Sequence, residues 1–349
     1  MASRNVIDDF ESKFYEARLN GDTKSCLEFL LNHSKELDTK AMNEKGILLL
    51  VVKNDNTEIV SELLKLNLDV NIKNSDGETP LSIASKLGNL TVVNLLLENG
   101  AKINVKDSEY GETALHKAVW NGNVEIVEKL LANGANGNIK DNQEGWTPLH
   151  VAVYTNNLKV IKKLLKYRAG IDVKDDEDES TPLHLAFEKA YDHGYSLCER
   201  QFVDVIEELL IGGSDPNLKM NFNNSFGYTP LQFVVDRTAS RFYGMEDTKA
   251  WSSFNLILSH LIENGADLNK CDSGFDDPPI HIAISHENFF KKPVVLKRLL
   301  ELEQEGCLDL NVRNHKLETP FESTIRNVCH LIGNTLDVGK MIIFQFHKS

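Results

Sequence analysis

Four histidines recur in one register, His116, His150, His184 and His281, with Thr113, Thr147, Thr181 and Pro278 three residues before them. Recurrent Thr–His pairs invite a catalytic reading, because an imidazole beside a hydroxyl can serve as its general base. The run Asp175-Asp176-Glu177-Asp178-Glu179 has charge enough for calcium. It lacks the glycine and the terminal glutamate of an EF-hand loop, and reads as a solvated acidic finger. Cys26, Cys198, Cys271, Cys307 and Cys329 lie far apart, with no CxxC and no histidine pair at ligand spacing. They fit free thiols in a reducing compartment better than zinc or a disulfide framework. The chain contains no GxSxG, HExxH, P-loop or dinucleotide fingerprint. No catalytic residue, metal or cofactor is therefore expected.

The histidines are explained by what positions them. Thr79, Thr113, Thr147 and Thr181 are spaced 34 residues apart. Between them one phrase is spoken three times: GETPLSIASKLGNLTVVNLLLENGAKIN, GETALHKAVWNGNVEIVEKLLANGANGN and GWTPLHVAVYTNNLKVIKKLLKYRAGID. Self-similarity at a fixed period marks a repeat architecture. In TPLH Thr caps a helix by accepting a backbone N–H, and Pro takes the first helical position, where its missing N–H costs nothing. Leu149 and Ala152 point inward, and the small alanine lets helices approach. Gly88 and Gly122 close the first helix in the left-handed region, and Asn156 takes that role in the fifth unit. Leu95-Leu96, Leu130-Leu131 and Leu164-Leu165 fill the core between repeats, and Gly100 and Gly134 close the second helix.

The letters TPLHxA, xGN, LL and xGAxxN resemble the ankyrin repeat, strongly over Asp76 to Lys174 and in degraded form over nearly the whole chain. The resemblance implies an all-α-dominated solenoid of helix-turn-helix units with short β-hairpin fingers. It implies that the histidine of TPLH ties adjacent turns and is not catalytic. Residues 1–42 read as a degenerate capping repeat, with Phe10, Phe14 and Ala17 on one helix and Cys26, Leu27, Leu30 and Leu31 on the next. Residues 43–318 read as the array, in about eight to nine repeats overall, and 319–349 as a C-terminal half-repeat cap. Long insertions enlarge the repeats at 181–228 and 229–277, mostly at 191–201 and 239–252; insertions of this kind map to loops on one face. Met341, Ile342, Ile343 and Phe344 make the last run apolar for a cap.

The resemblance also places partners on the finger tips and the exposed end of each first helix. Carried over by register, those positions include Tyr110, Glu112, Trp120 and Asn121, then Glu144, Trp146 and Tyr154, then Asp178 and Glu188, then Tyr228 and Asp236. Two of the three tryptophans fall there, and Trp and Tyr are frequent interface anchors. An aromatic strip in an acidic frame suits a partner offering apolar side chains beside Lys or Arg, which can stack on indole. The alternative is that the rings lie flat as packing. Asn71, with Leu63 upstream and Asp69-Val70 before it, looks like the asparagine hydroxylated in ankyrin repeats, although the same residue is needed to pin its hairpin.

The totals agree with a binding protein. With 38 basic and 52 acidic residues the formal charge is −14, which disfavours nucleic acid and anionic lipid. The opening MASRNVIDDF has no apolar stretch of signal-peptide length, and no run approaches the ~18 apolar residues of a membrane span. A monomeric cytoplasmic protein that binds another protein, as scaffold or adaptor, is the expectation. A ubiquitin-ligase substrate adaptor or the regulatory fragment of a larger enzyme or toxin are the alternatives.

Overall fold

The computed structural model describes residues 2–20, 23–192, 200–219, 227–241, 248–270, 277–286, 294–304 and 306–332. These form 18 helices and no strand, in two compact units, Met1–Asp175 and Asp176–Ser349. The first unit holds α1 (Ala2–Asn20), α2 (Thr23–His33), α3 (Thr39–Glu44), α4 (Ile47–Lys53), α5 (Thr57–Leu64), α6 (Pro80–Leu87), α7 (Leu90–Glu98), α8 (Ala114–Trp120), α9 (Val124–Ala132), α10 (Pro148–Tyr154) and α11 (Leu158–Lys166). The second holds α12 (Pro182–Asp192), α13 (Arg200–Ile211), α14 (Pro230–Arg241), α15 (Thr248–Glu263), α16 (Pro279–His286), α17 (Val294–Gln304) and α18 (Pro320–Ile332).

Each unit has two layers. First helices stack on first helices, α4 on α6 on α8 on α10, and second on second, α5 on α7 on α9 on α11. The same order runs α12, α14, α16, α18 in the second unit, with α13 against α15. The column Ala84, Ala118 and Ala152 is fully buried, as is Leu96, Leu130 and Leu164. A methyl in the first column lets the layers approach, and the leucines fill the space between repeats. Their neighbours Leu95 and Leu165 are only half-buried. Thr79 and Ser82 cap α6 reciprocally, Thr79 Oγ1 accepting from the Ser82 amide at 3.2 Å and Ser82 Oγ accepting from the Thr79 amide at 2.9 Å. The asparagines of the turns cap the second helices: Asn56, Asn89 and Asn157 accept from Ile59, Val92 and Val160 at 3.1, 2.9 and 3.2 Å. Gly88, Gly122 and Asn156 have φ of +82°, +66° and +52°, the left-handed termini read from the sequence.

At the N-terminus Phe10, Phe14, Ala17, Cys26 and Leu30 are buried, with Phe10 and Phe14 stacked 6.3 Å apart. Leu31 is 58% exposed, contrary to its expected place on the apolar face. Cys26 and Leu30 are one turn apart and define that face, and the next residue points well away from it. The short helix α3, which the periodicity does not show, packs on α1 and α4 and buries Met42.

The expected β-hairpin fingers are tight loops. Each is closed by one backbone bond, Asn74 to Glu78 (3.1 Å), Asp107 to Glu112 (2.9 Å), Asp141 to Trp146 (2.8 Å) or Asn314 to Glu318 (3.0 Å), the amide of the first residue donating to the carbonyl of the second. A single side-chain oxygen does the rest: Asp141 Oδ1 accepts from the amides of Gln143, Glu144, Gly145 and Trp146 at 2.9–3.2 Å. With its amides spent on a carboxylate, the finger has no ladder to form. Neighbouring fingers are stitched by Ser108 donating to the Asp76 carbonyl (2.8 Å) and Asn142 to that of Tyr110 (2.7 Å).

Of the two insertions, residues 200–201, 239–241 and 248–252 lengthen helices α13, α14 and α15; residues 193–199 and 242–247 lie outside the described residues. So do residues 333–349, including the apolar run Met341–Phe344.

Candidate functional site

The histidine column is spent on structure. The Thr113 amide donates to His116 Nδ1 at 3.2 Å, which leaves the ring proton on Nε2, directed at the Trp146 carbonyl 3.2 Å away. His184 contacts Thr181 Oγ1 at 2.8 Å and the Leu218 carbonyl at 2.9 Å. Gln232 stands in the same place in its repeat, accepting from the Thr229 amide (2.8 Å) and donating to the Asp277 carbonyl (2.9 Å). An amide that replaces an imidazole at both contacts marks the duty as hydrogen bonding between repeats. Burial pushes His116 and His281 below the ordinary imidazole range, so both are neutral at pH 7.

The surface built on this frame lies in the first unit, where α8, α10 and their fingers meet. Trp120, at the end of α8, and Tyr154, at the end of α10, meet edge to face with centroids 5.8 Å apart, and Trp146 leans on Tyr154 at 5.0 Å. Trp120 is 39% and Tyr154 42% exposed, so the rings pack on one another and still present area to solvent.

Beneath the rings lies a charge cluster. Lys117 bonds Asp107 Oδ2 at 2.9 Å and Glu112 Oε2 at closer range, with side-chain exposures of 8% for the lysine, 2% for Asp107 and 12% for Glu112. The other oxygen of Glu112 accepts from Trp120 Nε1 at 2.5 Å, and the Lys117 ammonium lies 5.5 Å from the Tyr110 ring centroid. Burial works against ionisation of both Asp107 and Lys117. Their mutual bond, with the Tyr110 amide on Asp107 and Glu112 on Lys117, outweighs it: Asp107 is held below the ordinary carboxylate range and Lys117 above the ordinary lysine range. Two carboxylates and one ammonium leave one negative charge behind the indole. That favours a cation on its outer face.

Glu112 therefore sits under the strip and is not part of an exposed acidic rim. Asn121 is exposed, yet its amide donates to the carbonyls of Lys86 (2.8 Å) and Lys117 (3.0 Å). Glu144 is half-buried in its finger. Asp178, Glu188 and Tyr228 belong to the second unit and are half-buried there; burial and the neighbouring Glu177 push the Asp178 carboxyl up. Asp236 is engaged by His286 at 2.8 Å. Asn71 Oδ1 accepts from the Lys102 amide at 2.7 Å, the same bond that Asn104 makes to Asn136 and Asn269 to Asp309. Its side chain thus ties one repeat to the next.

Register alone passes over Lys117 and Asp107, yet the sequence carries a signal for them. Lys117 stands in a column filled by Ile83, Val151, Leu185, Phe233 and Ile282 in five other repeats, with Ser323 in the last. A charge in an apolar column needs a buried counter-charge.

Among the described residues no group of three or more His, Cys, Asp or Glu side chains is placed to hold a metal, and no helix is long and apolar enough to cross a membrane. Cys26 is buried, and burial pushes its thiol up to about 11, which makes it unreactive at neutral pH. A family model described as "Ankyrin repeats (3 copies)" matches residues 14–107 and 115–201, more than half of the chain. The chain is also 28% identical over 112 residues to delta-latroinsectotoxin-Lt1a of Latrodectus tredecimguttatus, a match covering 31% of this chain and 9% of that protein.

Proposed function

The chain belongs to the ankyrin-repeat family, whose members generally mediate protein–protein interaction without catalysis, and from that premise we propose that it is a cytoplasmic, monomeric protein-binding module acting as scaffold or adaptor. The observation that carries this is the row Trp120, Tyr154 and Trp146, packed ring against ring and part exposed. A surface already ordered before binding loses little entropy on association. Tyr110 and Glu144 flank the row, and the buried Asp107–Lys117–Glu112 cluster orients Trp120 from behind. The partner this suits offers an apolar side chain to the rings and an Arg or Lys to the electron-rich indole face. Asp178, Glu188 and Tyr228 are partner contacts that the second unit offers by itself, and hydroxylation of Asn71 would modify a stitch between repeats.

An affinity pull-down compares the intact chain with a Trp120→Ala/Trp146→Ala variant, circular dichroism confirming that both fold. A partner captured by the first is expected to bind the variant at least ~30-fold more weakly, since each anchor of this type is worth about 1–2 kcal/mol or more. Equal capture of that partner by both would remove the row from the interface.

The likeness to a short part of a much longer toxin favours a second reading, that this array is the partner-binding segment of a larger protein. An immunoblot of the source cells raised against this chain would then show a band well above that of a 349-residue protein. A band at that size alone would dismiss it.

A further inference from the structure

Asn-Gly occurs six times, at Asn20, Asn99, Asn121, Asn133, Asn136 and Asn264. In this pair the glycine nitrogen can attack the asparagine carboxamide, because the ring that closes is five-membered and glycine has no side chain to crowd it. The fold decides which pairs are free to react. Asn20-Gly21 extends outside the described residues. At Asn99, Asn121, Asn133 and Asn264 the pair ends a helix, and the glycine N–H is held by a helix carbonyl. Gly100 donates to Leu97, Gly122 to Val119, Gly134 to Leu131 and Gly265 to Ile262, at 2.9–3.1 Å. Each of these asparagines also donates its carboxamide N–H to the carbonyl four residues back, at 2.7–3.0 Å.

Asn136-Gly137 differs at both points. It lies in the turn after α9 with Asn136 and Asn138 exposed, and neither the Gly137 amide nor Asn136 Nδ2 has a hydrogen-bond partner among the described residues. Gly137 is covered on its α-carbon side, where a Cβ would lie 3.1 Å from that of Ala169. The matching amides of Val70, Ile103, Leu268 and Leu310 are unbonded too, and an amide left so in repeat after repeat is one that water serves. Asn136 Oδ1 accepts from the Asn138 amide at 2.9 Å. That donor is aimed at the oxygen on which negative charge develops when the carboxamide carbon is attacked.

A free nucleophile, an untied leaving group and a donor on the developing oxyanion meet at this one described pair. We propose that Asn136 is a site of spontaneous deamidation, with water as the reactant. The Gly137 N–H gives its proton to hydroxide, and its nitrogen bonds Asn136 Cγ. The Cγ–Nδ2 bond then breaks, and ammonia leaves with a proton from water. Water opens the succinimide at Cγ to give aspartate, or at the main-chain carbonyl carbon to give isoaspartate. One water is consumed and one ammonia released, with no change of oxidation state. The first product is harmless to the turn, since Asp69, Asp215, Asp267 and Asp309 stand there in other repeats and accept from the amide two residues on at 2.8–2.9 Å. The second adds a carbon to the main chain between two stitches, the Asn136 amide on Asn104 Oδ1 at 2.9 Å and the Gly170 amide on Asn138 Oδ1 at 2.5 Å. It loosens the array on both sides.

The test holds the folded full-length chain in mildly alkaline buffer and maps its peptides by mass spectrometry, with methyl transfer by an isoaspartyl methyltransferase marking the isoaspartate. Asn136 is expected to deamidate about tenfold or more faster than Asn99, Asn121, Asn133 and Asn264, which must first release the glycine and lack a donor on the carboxamide oxygen. In urea the five rates should come within about threefold of one another, since the unfolded chain keeps none of these bonds. Gly137→Ala is expected to slow Asn136 alone, by about tenfold, because a methyl beside the nucleophile crowds ring closure. Val70 and Ile103 show that the position takes a side chain. A folded-state rate at Asn136 no faster than at the other four overturns the proposal. So does a ratio that is the same in urea as in the folded chain, or a rate unaltered by Gly137→Ala. The first two comparisons use the parent chain alone, so they decide the matter even where the variant does not fold.

Discussion

Replacement of Lys117 with methionine is expected to destabilise the first unit by about 3–5 kcal/mol at pH 7. Methionine fills much of the volume of the lysine stem, so lost packing is a small part of this. The larger part is that Asp107 and Glu112, with side chains only 2% and 12% exposed, are left facing one another without a cation. Removing one partner of a buried ionic cluster leaves the desolvation of the others uncompensated. Restoring neutrality with Lys117→Met/Asp107→Asn/Glu112→Gln should recover most of the loss. The carboxamide oxygen introduced at position 107 would still collect the finger amides, and the one at position 112 could still accept from Trp120 Nε1. Urea denaturation followed by tryptophan emission measures this, since Trp120 and Trp146 both sit in the affected repeats. A single-variant loss below ~1 kcal/mol, the worth of a surface pair, would mean that the cluster is open to solvent.

The same variant carries a pH signature. In the parent, the folded Asp107 carboxyl lies below its ordinary value of 3.8. Its contribution is therefore present above 3.8 and lost as pH falls through the lower folded value. Lys117 is raised above 10.5, so its contribution is present below 10.5 and lost as pH rises through the higher value. Across neutral pH the cluster adds a flat term. Without the lysine, burial and the paired negative charges push the two carboxyls up, the folded state takes up protons more readily than the unfolded one, and stability rises as pH is lowered from 7 toward 5. That opposite slope, compared with the parent between pH 7 and pH 5, separates a charge effect from a packing effect.

The repeat is legible in the sequence because its causes are local. A threonine, a proline, a small residue and a leucine at fixed positions each answer to the geometry of one helix pair, and all agree. The cluster under Trp120 is not legible in that way, because its members come from three places, a finger start, a finger end and mid-helix, and only the folded finger brings Asp107 onto Lys117. Register alone assigns Glu112 to the surface; what turns it inward is the lysine five residues later in a column that is apolar in five other repeats. The resemblance implies hairpins for the fingers. Their Asp or Asn lead residues, Asn74, Asp107, Asp141 and Asn314, show why they are loops, since one side-chain oxygen collects the amides that a ladder would need. Leu31 shows the limit of counting apolar letters: of Leu30 and Leu31 only the first is buried, whereas Leu130 and Leu131 both are.

The finger stitch makes the second large effect. Gly77 has φ of +76°, and a Cβ built there would lie 2.6 Å from the Ser108 backbone nitrogen and 2.3 Å from its hydroxyl. The hydroxyl can rotate away, but the nitrogen cannot: it is the donor of the 2.8 Å bond to the Asp76 carbonyl that joins one finger to the next. Gly77→Ala must therefore part the fingers, lose that bond and hold alanine in the left-handed region, in total about 3 kcal/mol. Gly100 supplies the control, with φ of +83° and nothing within 4 Å of a Cβ. Gly100→Ala bears the backbone strain alone, about 1 kcal/mol. The difference of about 2 kcal/mol between the two variants belongs to the close approach of the fingers rather than to glycine as such. Because repeats can open one at a time, the clearest reading is amide exchange at Ser108. It should accelerate by roughly 30-fold or more in Gly77→Ala relative to Gly100→Ala, which is that same difference expressed as an opening equilibrium. Equal exchange in the two variants would mean that the neighbouring fingers are held by their helices, and that the bond between them is incidental. Loss confined to Gly77→Ala would place the finger row among the elements that keep the aromatic surface in register, since Tyr110 and Trp146 lie on the very fingers that these bonds align.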